Sequence, residues 1–159
     1  MGFGALFFGF NGRIGRKTYW LGHIGIFIVA IAAIAALAAA VGDRFQAIAP
    51  GDEITIFALP AGALVFVLAV EVILTIASLA LTVKRLHDRN RTGWLALVFY
   101  VPSWLHNILA ESPPFGPAFW LTSVVAAVAS LAALWFLIEL GFFRGTRGPN
   151  RFGEDPVGI

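Results

Sequence analysis

Between residues 84 and 94 the chain reads Lys-Arg-Leu-His-Asp-Arg-Asn-Arg-Thr-Gly-Trp, with five of its 20 formal charges in eight residues. Arg85, Arg89 and Arg91 could hold an anion, either a lipid phosphate or an acidic segment of a partner. Glycine-rich backbone N–H groups in the tail around Asn150 and Arg151 could assist. His87 and Asp88 are the residue types of acid–base or metal chemistry. As helix neighbours, however, they point about 100° apart and do not converge. The other histidines, His23 and His106, lie far away with no metal-ligand spacing, and there is no cysteine for a disulfide, a thiol nucleophile or a thiolate metal site. Residues 145–153 lack the Gly-Lys-Ser/Thr ending of a phosphate loop. No residue is therefore assigned to catalysis, and no metal or cofactor is expected. Arginines interleaved with aromatics also describe nucleic-acid faces, but membrane interface belts share that composition, so nucleic acid is not expected.

A second candidate is Glu71. It shares one helical face with Thr75, Ser78 and Thr82, at steps of four, three and four, and Arg85 continues that face. Glu71 stands about 18 Å deep from the basic loop at helical rise. A carboxylate at such depth is costly and marks a functional site by default, while a protonated Glu hydrogen-bonded inside a bundle is the structural alternative. The stripe is expected to face the bundle interior. Glu139 and His23 sit at matching depths near the basic side and are candidates for a structural pair.

The elements carrying these residues follow from composition. The chain has 159 residues, 59% hydrophobic and 13% charged, too apolar for a soluble core. The expected fold is an all-α integral membrane protein in one domain, with four transmembrane helices at about 21–42, 55–86, 93–109 and 118–143. A short interfacial arm (1–20) precedes them and a polar tail (144–159) follows. In the arm, Phe3–Phe10 is too short to cross a bilayer and suits the acyl boundary. The first helix has small residues (Gly22, Gly25, Ala32, Ala36, Ala40) that permit close backbone approach, as do Ala126, Ser130 and Ala133 in the fourth. Basic residues followed by an apolar run and Ala38-Ala39-Ala40 also resemble a signal peptide, but the run is long for one, and it is read as the first membrane helix. Pro102 predicts a kink in the third helix. Arm, basic loop and tail hold 10 of the 11 Lys and Arg residues; the two other loops hold Arg44 and four acids. A multi-pass protein with both termini cytoplasmic satisfies this asymmetry.

Three motifs resemble a known family. Gly12-Arg13-x-x-Arg16-x-x-Tyr19-Trp20 is similar to its amino-terminal signature. Arg85-Leu86-His87-Asp88-x-x-x-Thr92-Gly93-Trp94 is similar to its central signature, with Thr92 where Ser is usual and Lys84 where a second Arg is common. Gly145-Thr146-x-Gly148-Pro149-Asn150-Arg151-Phe152-Gly153-x-Asp155-Pro156 resembles its carboxy-terminal signature. Together they resemble the YhaH-like bacterial inner-membrane proteins, domain-of-unknown-function family 805. The resemblance implies a helical protein of the inner membrane and implies no reaction. Glu71 is not part of the resemblance.

All three signatures map to the basic side, which leaves two readings. In a structural clamp, Asp88 pairs with Arg13 or Arg16, His87 bonds a carbonyl, Gly93 turns the chain, Trp94 anchors the next helix and Asn150 caps turns. In an anion site, Arg85, Arg89, Arg91 and the tail bind phosphate or acidic protein. The expected function is a non-enzymatic scaffold or accessory subunit whose basic surface (Arg13, Arg16, Arg85, His87, Asp88, Arg89, Arg91, Trp94, Asn150, Arg151) meets anionic lipids or a partner. Its setting would be a larger membrane complex or a homo-oligomer. A small proton-coupled transporter using Glu71 is the alternative, and an enzyme acting on lipid headgroups is third.

Overall fold

The computed structural model describes residues 1–46, 60–109 and 119–157. Every regular element among them is helical. A short helix α1 (Phe3–Phe8) is followed by α2 (Arg16–Gln46), α3 (Ala61–Asp88), a 3-10 turn (Gly93–Ala96), α4 (Leu97–Leu109) and α5 (Phe119–Phe136). α5 runs on into a π-helical turn, Leu137–Phe142.

Three of these helices are long and apolar enough to cross a membrane: Arg16–Gly42, Ala61–Asp88 and Phe119–Phe142. The expected third span is shorter. Its α-helical part has 13 residues with Pro102 inside, about 20 Å at helical rise against about 30 Å of hydrocarbon. The first span starts earlier than expected, at Arg16, so the Tyr19–Trp20 end of the first signature is helical. α3 begins at Ala61 with Pro60 as its N-cap, a position where the missing N–H is harmless. The expected helical residues 55–59 and 118, and Glu111, lie outside the described residues.

The core lies at one end. Val83, Leu86, Ala96, Tyr100, Phe136 and Leu140 form one buried cluster where α3, the 3-10 turn, α4 and the end of α5 meet. Gly22 brings α2 close to α3: a Cβ there would stand 2.6 Å from Leu81 Cδ1, and Leu81 is fully buried. Of the other small residues, Ala126 is half-buried. Gly25 faces open space, Ala32, Ala36 and Ala40 are exposed, and so are Ser130 and Ala133. α5 instead buries Val125, Ala132 and Phe136. In lipid both faces of a helix are apolar, so small residues alone do not set which face packs.

The end of α3 is set by Asn90, not Gly93. Asn90 has φ +56°, its N–H reaches His87 O at 2.9 Å, and Arg91 N–H reaches Leu86 O at 2.9 Å. This paired arrangement is a left-handed C-terminal cap, where Asn is tolerated. Gly93 serves close approach instead, since a Cβ there would lie 2.7 Å from Val83 Cγ1.

Candidate functional site

The three signatures meet at the polar end of the bundle. Arg13, which precedes α2, is buried and makes six hydrogen bonds. Its Nε and Nη2 donate to Asp88 Oδ1 at 3.2 and 3.0 Å. Nη1 donates to Gly148 O at 2.7 Å and Gly153 O at 3.1 Å. Nη2 also reaches Thr146 O at 2.6 Å and its hydroxyl at 3.2 Å. The other carboxylate oxygen of Asp88 pairs with Arg85. One carboxylate thus holds two guanidiniums, all three side chains at most 3% exposed. Buried charge survives only when paired and fully hydrogen-bonded, and here the surplus positive charge is met by main-chain carbonyls.

Those carbonyls explain why the signatures are rich in Arg. The last turn of a helix leaves its carbonyls unpaired and carries partial negative charge. At the end of α5, Leu140 O accepts from Arg85 Nε at 2.7 Å and Gly141 O from Trp20 Nε1 at 3.2 Å. Phe142 O accepts from Arg16 Nη1 at 2.9 Å, Phe143 O from Arg85 Nη2, and Arg144 O from Arg89. Arg16 is therefore a helix cap and not a partner of Asp88. Two signatures together close the end of the helix that leads into the third.

The tail docks on the end of α3. Thr146 donates through its N–H (2.8 Å) and its hydroxyl (3.0 Å) to Asp88 O. Asn150 Nδ2 donates to His87 O at 2.9 Å, while its Oδ1 accepts from Phe152 N–H at 2.9 Å and fixes the turn. A Cβ on Gly145 would fall onto the Asp88 carboxylate. His87 Nδ1 lies 3.2 Å from Gly12 O, and its ring stacks on Phe152 with centroids 3.9 Å apart. Arg151 packs on Phe152 and reaches Asn90 O at 3.4 Å. Asp155 accepts from Val157 and Gly148 N–H at 3.0 and 2.9 Å, and these bonds lower its pKa from the ordinary 3.8.

Glu139 pairs with Arg89 Nε at 3.1 Å and Arg91 Nε at 2.8 Å. The expected His23–Glu139 pair does not form. His23 Nδ1 instead takes Tyr19 O at 3.0 Å, and its Nε2 lies 3.3 Å from the Ser78 hydroxyl, which is 2.7 Å from the Tyr100 hydroxyl. Ser78 and the buried Thr82 of the expected stripe thus face protein, with Thr75 half-buried above them. Glu71 does not follow them inward. It is exposed, on a groove between α2 and α3 walled by apolar residues such as Ala33, Leu37 and Phe66, with no hydrogen bond or ion pair among the described residues. The core sits at the clamped end, so the face that is interior at Ser78 is open two turns away.

Lys84 has a role the sequence does not display. It is fully buried, and its ammonium caps α1 by donating to Ala5 O at 3.0 Å, Leu6 O at 2.6 Å and Gly9 O. The available signal is its place four residues after Ala80, on the buried face of α3; the carbonyls themselves leave no trace in sequence. Trp94, by contrast, is 77% exposed.

Long apolar helices bound at one end by a buried Arg–Asp–Arg clamp define a helical membrane protein. The chain belongs to the family described as "Protein of unknown function (DUF805)", whose model matches residues 7–154. It is similar to the uncharacterized protein YiiR of Escherichia coli K12, 33% identical over 93% of this chain and 86% of YiiR. It is also similar to the inner membrane protein YhaI of the same organism, 30% identical over 93% and 86%. No solved structure matches.

Proposed function

We propose that the chain is a non-enzymatic scaffold or accessory subunit of the bacterial inner membrane, crossing it four times with both termini in the cytoplasm. Its clamped end carries a basic rim for anionic lipid headgroups. The inner membrane is supported by the name of the relative YhaI, and the orientation by the one-sided distribution of Lys and Arg. Four crossings are supported by direction. α2 begins at the clamp, and α3 and α5 both end there, which supports a return to the far side between α3 and α5. The 3-10 turn and α4 together cover about 27 Å of that path.

One observation carries the lipid reading. The clamp uses Arg13, Arg85 and Lys84 internally and leaves Lys17, Arg144, Arg147 and Arg151 exposed around it. Each cation near an anionic surface contributes about 1 kcal/mol, less as salt rises. The test is lipid selectivity in mixed bilayers, using spin-labelled phosphatidylglycerol against phosphatidylcholine. Replacing the four exposed cations by Gln abolishes a salt-sensitive preference for phosphatidylglycerol. Unchanged selectivity overturns the lipid reading, and a stoichiometric protein lost on the same substitutions assigns the rim to a partner. Single cysteines at positions 17 and 147, in a chain without native cysteine, label from the cytoplasmic side; periplasmic labelling overturns the orientation.

A further inference from the structure

We propose that a cavity beside His87 binds one anionic phospholipid whose hydroxylated headgroup donates a hydrogen bond to His87 Nε2. The proposal deepens the lipid reading above by naming a site within it. The cavity, about 470 Å³, lies between arm, α3, the 3-10 turn and tail. Its lining is two-sided. Leu79, Val83 and Leu97 form an apolar floor, and Asn11, His87 and Thr92 form a polar rim. Leu97 begins α4, and Val101, one turn on and on the same face, is exposed, a path for an acyl chain. Trp94 stands exposed at the mouth, where membrane-interface aromatics belong. That polarity gradient is the shape of an amphiphile.

His87 decides which headgroup fits. Its Nδ1 faces the Gly12 carbonyl, so Nδ1 carries the proton and the neutral ring presents Nε2 as an acceptor. Stacking on Phe152 holds the ring in that orientation. Nε2 has no hydrogen-bond partner among the described residues and lies on the side of Gly93, where a Cβ would come within 3.3 Å of it. Glycine at 93 therefore keeps the space beside Nε2 clear. A group that bonds Nε2 of the neutral ring is a donor, a hydroxyl or an ammonium. Arg151 packs on the far partner of the stack, with its guanidinium 4.6 Å from the Phe152 ring centre. A cation there disfavours an ammonium and favours a phosphate. A phosphate bearing a polyol, as in phosphatidylglycerol, supplies both the anion and the hydroxyl.

The experiment is native mass spectrometry of the full chain from nanodiscs of phosphatidylglycerol, phosphatidylethanolamine or phosphatidylcholine, with increasing detergent washing. One phosphatidylglycerol per chain is retained, about tenfold over phosphatidylcholine, as expected for a hydrogen bond plus a charge contact. Leu97→Trp fills the floor from a partly exposed position outside the clamp and removes the bound lipid. His87→Phe keeps the stack, loses the acceptor and removes the headgroup preference. Should that variant fail to fold, the headgroup comparison on the native chain and Leu97→Trp still decide. Equal retention of the three lipids, preferred retention of phosphatidylethanolamine, or undiminished binding by Leu97→Trp overturns the proposal. The two lipid readings separate cleanly: Gln at Lys17, Arg144 and Arg147, which leaves Arg151 in place, lowers bulk selectivity and keeps the single retained lipid, whereas Leu97→Trp removes that lipid and leaves bulk selectivity intact.

Discussion

Asp88→Asn tests the clamp with almost no change in shape. Asp88 holds Arg13 and Arg85, all but inaccessible to solvent. Removing one side of a buried pair costs about 3–5 kcal/mol, because the remaining charge stays buried and uncompensated. Here the cost falls toward the lower end. Arg13 keeps its carbonyl acceptors at Thr146, Gly148 and Gly153, and Arg85 keeps Leu140 and Phe143. A loss of about 3 kcal/mol lowers the melting temperature by about 6–12 °C for a chain of this size. Thermal unfolding in mild detergent reads the loss, and trypsin cleavage at Arg147 reads release of the tail. Arg13→Gln has a similar effect, and the double variant loses less than the sum of the two singles, since both act on one network. A melting temperature within about 2 °C of the native chain, with tail cleavage unchanged, refutes the clamp as the element joining the signatures.

Gly145→Ala places a methyl on a carboxylate that two arginines hold in place; it destabilises by at least about 2 kcal/mol, measured by thermal unfolding, and speeds cleavage of the tail. Lys84→Met removes three donors from the carbonyls ending α1 and frees the arm, read as raised mobility of a spin label at Phe3 while the α2–α5 core stays folded. The lowered pKa of Asp155 stabilises the tail above its unfolded value near 3.8, and that contribution disappears as pH falls through the lower folded value. Protection of the Gly148 and Val157 amides, measured relative to their intrinsic exchange at each pH, therefore falls on acidification below pH 3.8, and Asp155→Asn removes that fall.

The membrane class, the three long spans and the gathering of Arg13, Arg85, Asp88 and Asn150 on one side were legible in the sequence. Apolar run length, charge asymmetry and motif order encode them directly, and each is a property of the solvent the chain must meet. The shared face of Ser78 and Thr82 was legible too, because helical periodicity fixes which residues stand together. What periodicity does not fix is what stands opposite. Glu71 lies on the predicted stripe and is nonetheless exposed, because only the tertiary packing decides that the core closes at one end. The buried line on α5 is Val125, Ala132 and Phe136, in a helix apolar on every side, where hydrophobicity carries no phase.

The basic residues show the same division most clearly. Their number and side were visible, but their partners were not. Lys84 caps α1, Arg16 caps the end of α5, and Arg85 spans Asp88 and two carbonyls. Main-chain carbonyls are identical at every position along the chain, so no residue type announces which of them will be left unpaired. Helix ends create those acceptors, and only the folded arrangement brings a particular arginine or lysine within reach of them.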